Sequence, residues 1–397
     1  MIKIIAILDN EIWAGGGFNQ ALNALVQMHR LSSNRFNFEV CTTQKNNIDC
    51  LNQLGIHATT IKIAALDRLL VKFSQSGLWQ SVQRRLKLMG PFEKQLIGRG
   101  CDVVYFVTSG NLCLGLQKLN YIKTVWDLAH RETPEFPEVR DFGEFSIREK
   151  NYQHVLSSAL LTLTDSQRLA DMASRYYGIE RDRFLAMPFA PTPFLDEAQA
   201  SDTHSVLQKF NLECGYFFYP AQFWAHKNHI RILQALLTLR DLHGWAPKVV
   251  FAGRDGGSLA HIKKFIDVQQ LDFQVRILGF VPPEDMRGLY KNAMAVIMPT
   301  YFGPTNLPPL EAWSLGVPLI YSAHLVEHAG NAALLCDPDN AIELANAMLK
   351  CTEQDVCNQL ISAGHQRLAD ITRQRDVAED SLCMTLEKFT AKRQCWS

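Results

Sequence analysis

Apolar residues along this chain recur in short unbroken runs, and stretches with helical spacing separate them. Lys3–Leu8 is almost wholly apolar, as expected of a parallel strand buried on both faces. Phe36–Val40, Thr59–Ile63, Asp102–Val107, Ile122–Trp126 and Leu160–Leu163 repeat the signal. Helical spacing fills Phe18–Leu31 and Gln167–Tyr177, the latter starting behind a good cap at Thr164–Ser166 and closing at Gly178. After Phe184–Met187 the chain turns proline-rich and then polar (PFAPTPFLDEAQASDTHS), which marks a linker. The alternation then resumes. Strands are predicted at Tyr216–Tyr219, Lys248–Ala252, Gln274–Leu278, Ala293–Met298 and Val317–Tyr321, with helices at Ile230–Leu239, Pro283–Lys291 and Pro338–Ala347. The pattern predicts an α/β protein: two Rossmann-like parallel-sheet domains facing each other across a cleft. The first covers 1–190, a linker 191–212 and the second domain 213–372. A helical segment over 373–397 is placed last, with the option of returning to the first domain.

Open α/β sheets bind ligands at the carboxyl ends of their strands, so the chemistry is sought in the loops there. The stretch Pro299–Ile320 is the most informative. Thr305, Asn306 and Leu307 precede Pro308 and Pro309, and proline is tolerated in a first helical turn. Main-chain N–H groups and the positive end of the helix dipole would face the loop, as an anion requires. Glu311, a turn further in, suits a ligand that carries hydroxyls as well as phosphate. The same residues also fit a plain helix start, with Asn306 or Thr305 as cap. Lys227 stands at another strand–helix junction, where it can neutralise a phosphate. Gly253–Gly257 forms a second glycine-rich turn around Arg254. In the first half, Gly15, Gly16 and Gly17 follow a strand and open a helix without matching GxGxxG or the Walker spacing. They serve either a cleft-facing loop or simply a tight turn. Asp127 and His130 lie just past a strand end, where a histidine can bind substrate or move a proton.

Composition narrows the class. Lys plus Arg and Asp plus Glu number 40 each, so the chain is not a bulk nucleic-acid binder. The hydrophobic share is 47% and the charged share 20%, values of a soluble globular protein. The 10 cysteines form no CxxC pair, so zinc and redox motifs are unsupported. Scattered thiols with no recognisable signal peptide or membrane-length apolar run suggest a cytoplasmic protein. Between residues 68 and 94, Arg68, Lys72, Arg84, Arg85, Lys87 and Lys94 alternate with bulky apolar residues. That composition fits an amphipathic helix resting on an anionic membrane surface. It also fits a helix packed on its own domain with a solvated basic edge.

The runs LPPLEAWSLGVPLI and YPAQFWAHKNH resemble the signature and phosphate-binding segments of glycosyltransferase family 4, retaining enzymes of the GT-B fold. The likeness is greatest to members that assemble bacterial surface polysaccharides of O-antigen or capsule type. It covers the C-terminal half; the first half contributes only the glycine loop, DLAH and LTLTDSQ. The resemblance implies hexosyl transfer from a nucleotide-diphosphate sugar, GDP-mannose being favoured, to a saccharide or lipid-linked oligosaccharide acceptor. No cofactor is implied, and no DxD cluster for a metal stands at a strand end. Lys227 would pair with the pyrophosphate and Glu311 would receive the ribose hydroxyls. Gly15, Gly16 and Gly17 would lie near donor phosphates or acceptor, and His130 would face the donor sugar. Two positions depart from the family. Gly303 replaces the first of two glutamates eight apart, and Gln222 replaces an arginine five before the lysine. Main-chain amides around Thr305 and Asn306, with Arg254, are expected to compensate. A nucleotide-sugar 2-epimerase of the same fold and a catalytically degenerate scaffold are the rival readings.

Overall fold

The structure is a computed structural model that describes residues 1–11, 16–32, 35–74, 82, 85–195, 203–303 and 305–396. Among the described residues the strands are β1 Lys3–Leu8, β2 Asn37–Thr42, β3 Ala58–Thr60, β4 Val103–Phe106, β5 Asn120–Val125, β6 Leu161–Thr164 and β7 Phe184–Ala186. They form one sheet in the order β3-β2-β1-β4-β5-β6-β7. The second sheet holds β8 Tyr216–Pro220, β9 Val249–Ala252, β10 Val275–Gly279, β11 Ala293–Met298, β12 Leu319–Ser322 and β13 Leu334–Cys336. Its order is β10-β9-β8-β11-β12-β13. Every pairing is parallel. The predicted α/β class therefore holds, with two Rossmann-like sheets of GT-B type. The long central strands match their unbroken apolar runs, and Ala293–Met298 matches residue for residue. The edge strand β13, only three residues long, was not foreseen.

The chain divides into two compact units. Unit 1 holds Met1–Glu132, Phe142–Phe189 and Gln374–Ser397; unit 2 holds Thr133–Asp141 and Ala190–Arg373. The last helix, Gln354–Arg393, passes from unit 2 into unit 1. There the buried Glu379 carboxylate receives Arg30 and the Gln27 amide (2.8 Å), and Arg393 bonds Asp102 at 2.7 Å. Among the described residues no helix is long and apolar enough to cross a membrane.

The strand orders locate the sites. In unit 1 the order reverses between β1 and β4, and in unit 2 between β8 and β11. Loops leaving the carboxyl ends of two such strands diverge and leave a crevice for a ligand.

Candidate active site

At the end of β8 the chain enters Ala221–Trp224, which is zipped to the loop after β9. Phe223 N–H donates to the Arg254 carbonyl at 2.9 Å, and Ser258 N–H donates to the Phe223 carbonyl at 3.0 Å. This approach requires glycine. A Cβ on Gly253 would lie 2.2 Å from the Ala221 oxygen, and one on Gly256 would lie 2.5 Å from the Trp224 ring. Gln222, where the arginine was expected, accepts the Trp224 indole N–H at 2.8 Å. Arg254 is exposed, with its guanidinium 5.2 Å from the Phe280 ring centre.

A short turn, Ala225–Lys227, then delivers Lys227. Asn228 follows in the left-handed conformation (φ 58°), and its amide donates to the carbonyls of Pro299 (3.1 Å) and Pro338 (2.8 Å). Asparagine tolerates that backbone better than most residues. The bond to Pro299 fastens the β8 loop to the β11 loop, together with Tyr301 N–H on the His226 carbonyl at 2.9 Å, and the bond to Pro338 ties it to the loop after β13. The Lys227 ammonium donates to Asn306 Oδ1 at 3.3 Å. Lys227 and Asn306, 79 positions apart, thus meet at the reversal point of the sheet.

The helix that begins there, Leu307–Leu315, has Asn306 as its N-terminal flanking residue, yet the asparagine side chain makes no capping bond. The two prolines explain why. An N-cap side chain bonds the N–H of the second or third helical residue, and here those residues are Pro308 and Pro309, which have none. The same fact trims the expected anion site. Main-chain donors at the helix start are those of Thr305, Asn306 and Leu307 alone, backed by the helix dipole.

A segment distant in sequence props this loop. The Glu138 carboxylate receives the His226 main-chain N–H at 2.9 Å and the His226 ring. The ring in turn stacks on Phe302, centres 3.7 Å apart. Phe136 packs edge-on against Phe302 at 5.6 Å. Neither Glu138 nor Phe136 carried a sequence signal, because nothing local distinguishes them from other loop residues.

Glu311 sits one turn into the helix, as expected, but it faces inward. Only 6% exposed, its carboxylate receives the hydroxyls of Thr192 and Tyr290 on separate oxygens. Burial raises its pKa, and those two hydroxyls oppose the rise. The expected receipt of ribose hydroxyls at Glu311 therefore has to share this carboxylate with two hydroxyls of the protein. Each of its oxygens is already engaged within unit 2.

The first-half residues are placed separately, in unit 1. Asp127 lies past β5, where it accepts the Ala129 N–H (3.0 Å) and Arg148 (3.3 Å). His130 is fully buried, with Nε2 3.3 Å from Glu149 and 3.4 Å from the Tyr177 hydroxyl. Burial lowers its pKa while Glu149 pulls it up. The imidazole expected to face a donor sugar is here packed in unit 1 beside Glu149 and Tyr177. Gly16 and Gly17 open the first helix, and a Cβ on Gly17 would touch the Trp126 ring at 3.1 Å. Tight packing accounts for that glycine. Gly15 lies outside the described residues. At the unit 1 reversal point, Thr108 donates to Asp9, and the buried Lys123 donates to the carbonyls of Thr108 (2.6 Å) and Gly110. A lysine next to Ile122 inside a strand was the available signal for that cluster.

Two buried histidines carry a measurable consequence. His229 is pressed between Tyr219 and Phe223, with ring centres at 4.7 Å to each, and burial pushes its pKa down to about 3, aided by Lys227 and His226. His328 is pushed to about 3 by burial, aided by Arg367. In the unfolded chain both titrate near 6.5. Between those values the unfolded state binds two protons that the native state does not. Stability therefore falls as pH drops from 6.5 towards 3, by about 1.4 kcal/mol per pH unit for each histidine. Urea midpoints measured from pH 7 to 4 should follow that slope, and His229→Phe should make it shallower. An unchanged slope in the variant would refute the assignment.

Residues 203–367 match the model for glycosyl transferases group 1. They resemble a group 1 glycosyl transferase domain. Lys227, Asn306 and Glu311 all fall inside the matched residues. Over 230 residues the chain is 27% identical to O-antigen chain mannosyltransferase B of Escherichia coli, a match spanning 57% of this chain and 60% of that protein. The fold is similar to that of Anabaena HepE in complex with UDP-glucose (TM-score 0.70, 15% identity, 96% of this chain and 99% of that one). It is also similar to WaaG, a glycosyltransferase involved in lipopolysaccharide biosynthesis (TM-score 0.65, 12% identity, 96% and 99%).

Proposed function

We propose that the protein is a retaining hexosyltransferase. It moves a hexosyl group from a nucleotide-diphosphate sugar, with GDP-mannose favoured, to a saccharide acceptor in surface-polysaccharide assembly. The observation that carries the reading is the meeting of Lys227 with the start of the Leu307–Leu315 helix at the reversal point of the second sheet. A glycosyl–phosphate bond breaks with negative charge growing on the departing diphosphate. Fixed donors at that point lower the barrier most. Lys227 supplies the full charge; the amides of Thr305, Asn306 and Leu307 supply directed partial charges. The C1–O bond to phosphate breaks, and the acceptor oxygen bonds C1 on the same face. The acceptor's proton passes to the departing diphosphate oxygen. A ribose hydroxyl is received at Glu311 only by sharing or displacing Thr192 or Tyr290. The likeness to the Escherichia coli mannosyltransferase and to HepE bound to UDP-glucose supports the sugar-donor class.

A lipid-linked acceptor, and a peripheral stay at a cytoplasmic membrane face, belong to the same proposal. Their support is the helix Ala65–Phe73, where Leu66, Leu69 and Phe73 are 44%, 47% and 42% exposed along one stripe beside the exposed Arg68 and Lys72. Such a stripe suits an anionic lipid surface.

The test is transfer itself. Nucleotide-diphosphate sugars are screened by calorimetry in EDTA, and the binder is then incubated with and without lipid-linked oligosaccharide in anionic vesicles. Glycosylation of the acceptor with retained anomeric configuration is expected. Conversion of the donor without acceptor would replace the reading with a 2-epimerase, and absence of donor binding would replace it with a scaffold.

A further inference from the structure

Asn306 is held by more than Lys227. Its Nδ2 donates to the Gly303 carbonyl at 3.2 Å and to the Tyr321 hydroxyl at 2.8 Å. The orientation of the carboxamide follows from its neighbours. A carbonyl oxygen only accepts and an ammonium only donates, so the NH2 must face Gly303 and the oxygen must face Lys227. The Tyr321 oxygen, accepting from Asn306, sends its own proton elsewhere. His328 Nδ1 lies 3.3 Å away. The His328 ring is 7% exposed, packed 5.4 Å from Trp313. The result is a directed chain, Lys227 to Asn306 oxygen on one side, Asn306 NH2 to Tyr321 to His328 on the other.

Three features show that this is not generic packing around a helix start. The prolines at 308 and 309 deny Asn306 any capping bond. Gly303 has φ 107°, and a Cβ there would lie 3.0 Å from Asn306 Oδ1 and 3.2 Å from Nδ2. The carboxamide thus occupies the space that a side chain at 303 would need, so the glycine and the asparagine are a matched pair. Finally, Tyr321 is 0% exposed, and a buried hydroxyl is costly to bring in without a partner. Here it receives Asn306, which leads to Lys227, and has His328 on its other side.

We propose that Tyr321 and His328 are positioning residues: they fix the Asn306 carboxamide, and through it the Lys227 ammonium, against the diphosphate of the donor. Asn306 takes the place left by the absent side chain at 303. The inference rests on the donor-site reading above, and its test separates the two.

Affinity for UDP and GDP is measured by calorimetry in the full-length protein and in Tyr321→Phe, His328→Leu, His328→Gln and Lys227→Ala. Donor KM and kcat are measured alongside. Tyr321→Phe and His328→Leu are expected to weaken nucleoside diphosphate binding about tenfold, chiefly in donor KM. His328→Gln, which keeps an acceptor for the tyrosine proton, restores most of it. In a Lys227→Ala background, Tyr321→Phe has no further effect on the same affinity, since the two act as one unit. If Tyr321→Phe does not fold, Asn306→Ala stands in its place in the same cycle. Unchanged affinity in the folded variants, or additive losses with Lys227→Ala, overturns the positioning role while the donor site stands. Absence of UDP and GDP binding by the unaltered protein overturns the donor site itself.

Discussion

Lys227→Ala is expected to slow transfer by about a hundred- to a thousandfold at saturating donor, the cost typical of removing one fixed donor from a developing anion. The side chain does little else. Its backbone carbonyl, which accepts the Tyr219 hydroxyl at 2.8 Å, survives the substitution. So do the Asn228 bonds that tie this loop to those after β11 and β13. Melting temperature should accordingly hold within a few degrees. Lys227→Arg is expected to recover only part of the rate. The ammonium acts as a compact charge in a place set by Asn306, and a planar guanidinium reaches that oxygen from a different distance. Single-turnover rates and thermal melts on the same preparations check both statements. Full activity in the alanine variant would remove Lys227 from the mechanism.

Gly253→Ala should be the most damaging single methyl group in unit 2. The new Cβ would stand 2.2 Å from the Ala221 oxygen, 2.6 Å from its carbonyl carbon and 2.8 Å from Gln222 Cα. All three are main-chain atoms at the ends of adjacent strands, where Pro220 pairs with Ala252, so no side chain can swing aside. The strands must part or the Phe223–Arg254 bond must break. A loss of about 3 kcal/mol is expected, read as a lower urea midpoint, together with weakened donor binding because the displaced loop leads to Lys227. Gly257→Ala provides the contrast. Nothing lies within 4 Å of its Cβ, but its φ is 106°, so its smaller cost of about 1–2 kcal/mol is purely conformational. Equal costs at the two positions would contradict the steric account.

What could be read from the chain follows from where each signal resides. The run Ala293–Met298 was legible because burial on both faces removes every polar residue. Lys227 and Asn306 were legible as partners because strand ends, and hence their loops, can be placed from such runs. Side-chain direction could not be read that way. His130 stands where predicted, yet its ring is claimed by Glu149 and Tyr177, 19 and 47 positions on. Glu311 likewise turns towards Thr192, 119 residues earlier. Tyr321 sits within an apolar strand run, and nothing in that run distinguishes its hydroxyl from any buried tyrosine's. His328 reads alone as an isolated histidine. Their link to Asn306 exists only once β12 lies beside β11.

The polypeptide changes unit after Glu132, Asp141, Phe189 and Arg373. Neither unit is therefore a continuous piece of chain. During synthesis, Arg30 and Asp102 must wait for Glu379 and Arg393, which leave the ribosome after the whole of the second sheet. The first half emerges with that edge of its core uncovered. It completes its fold after the second half rather than before it, a burden of late long-range closure. A gene split at the apparent linker would yield two fragments, each lacking a part encoded in the other.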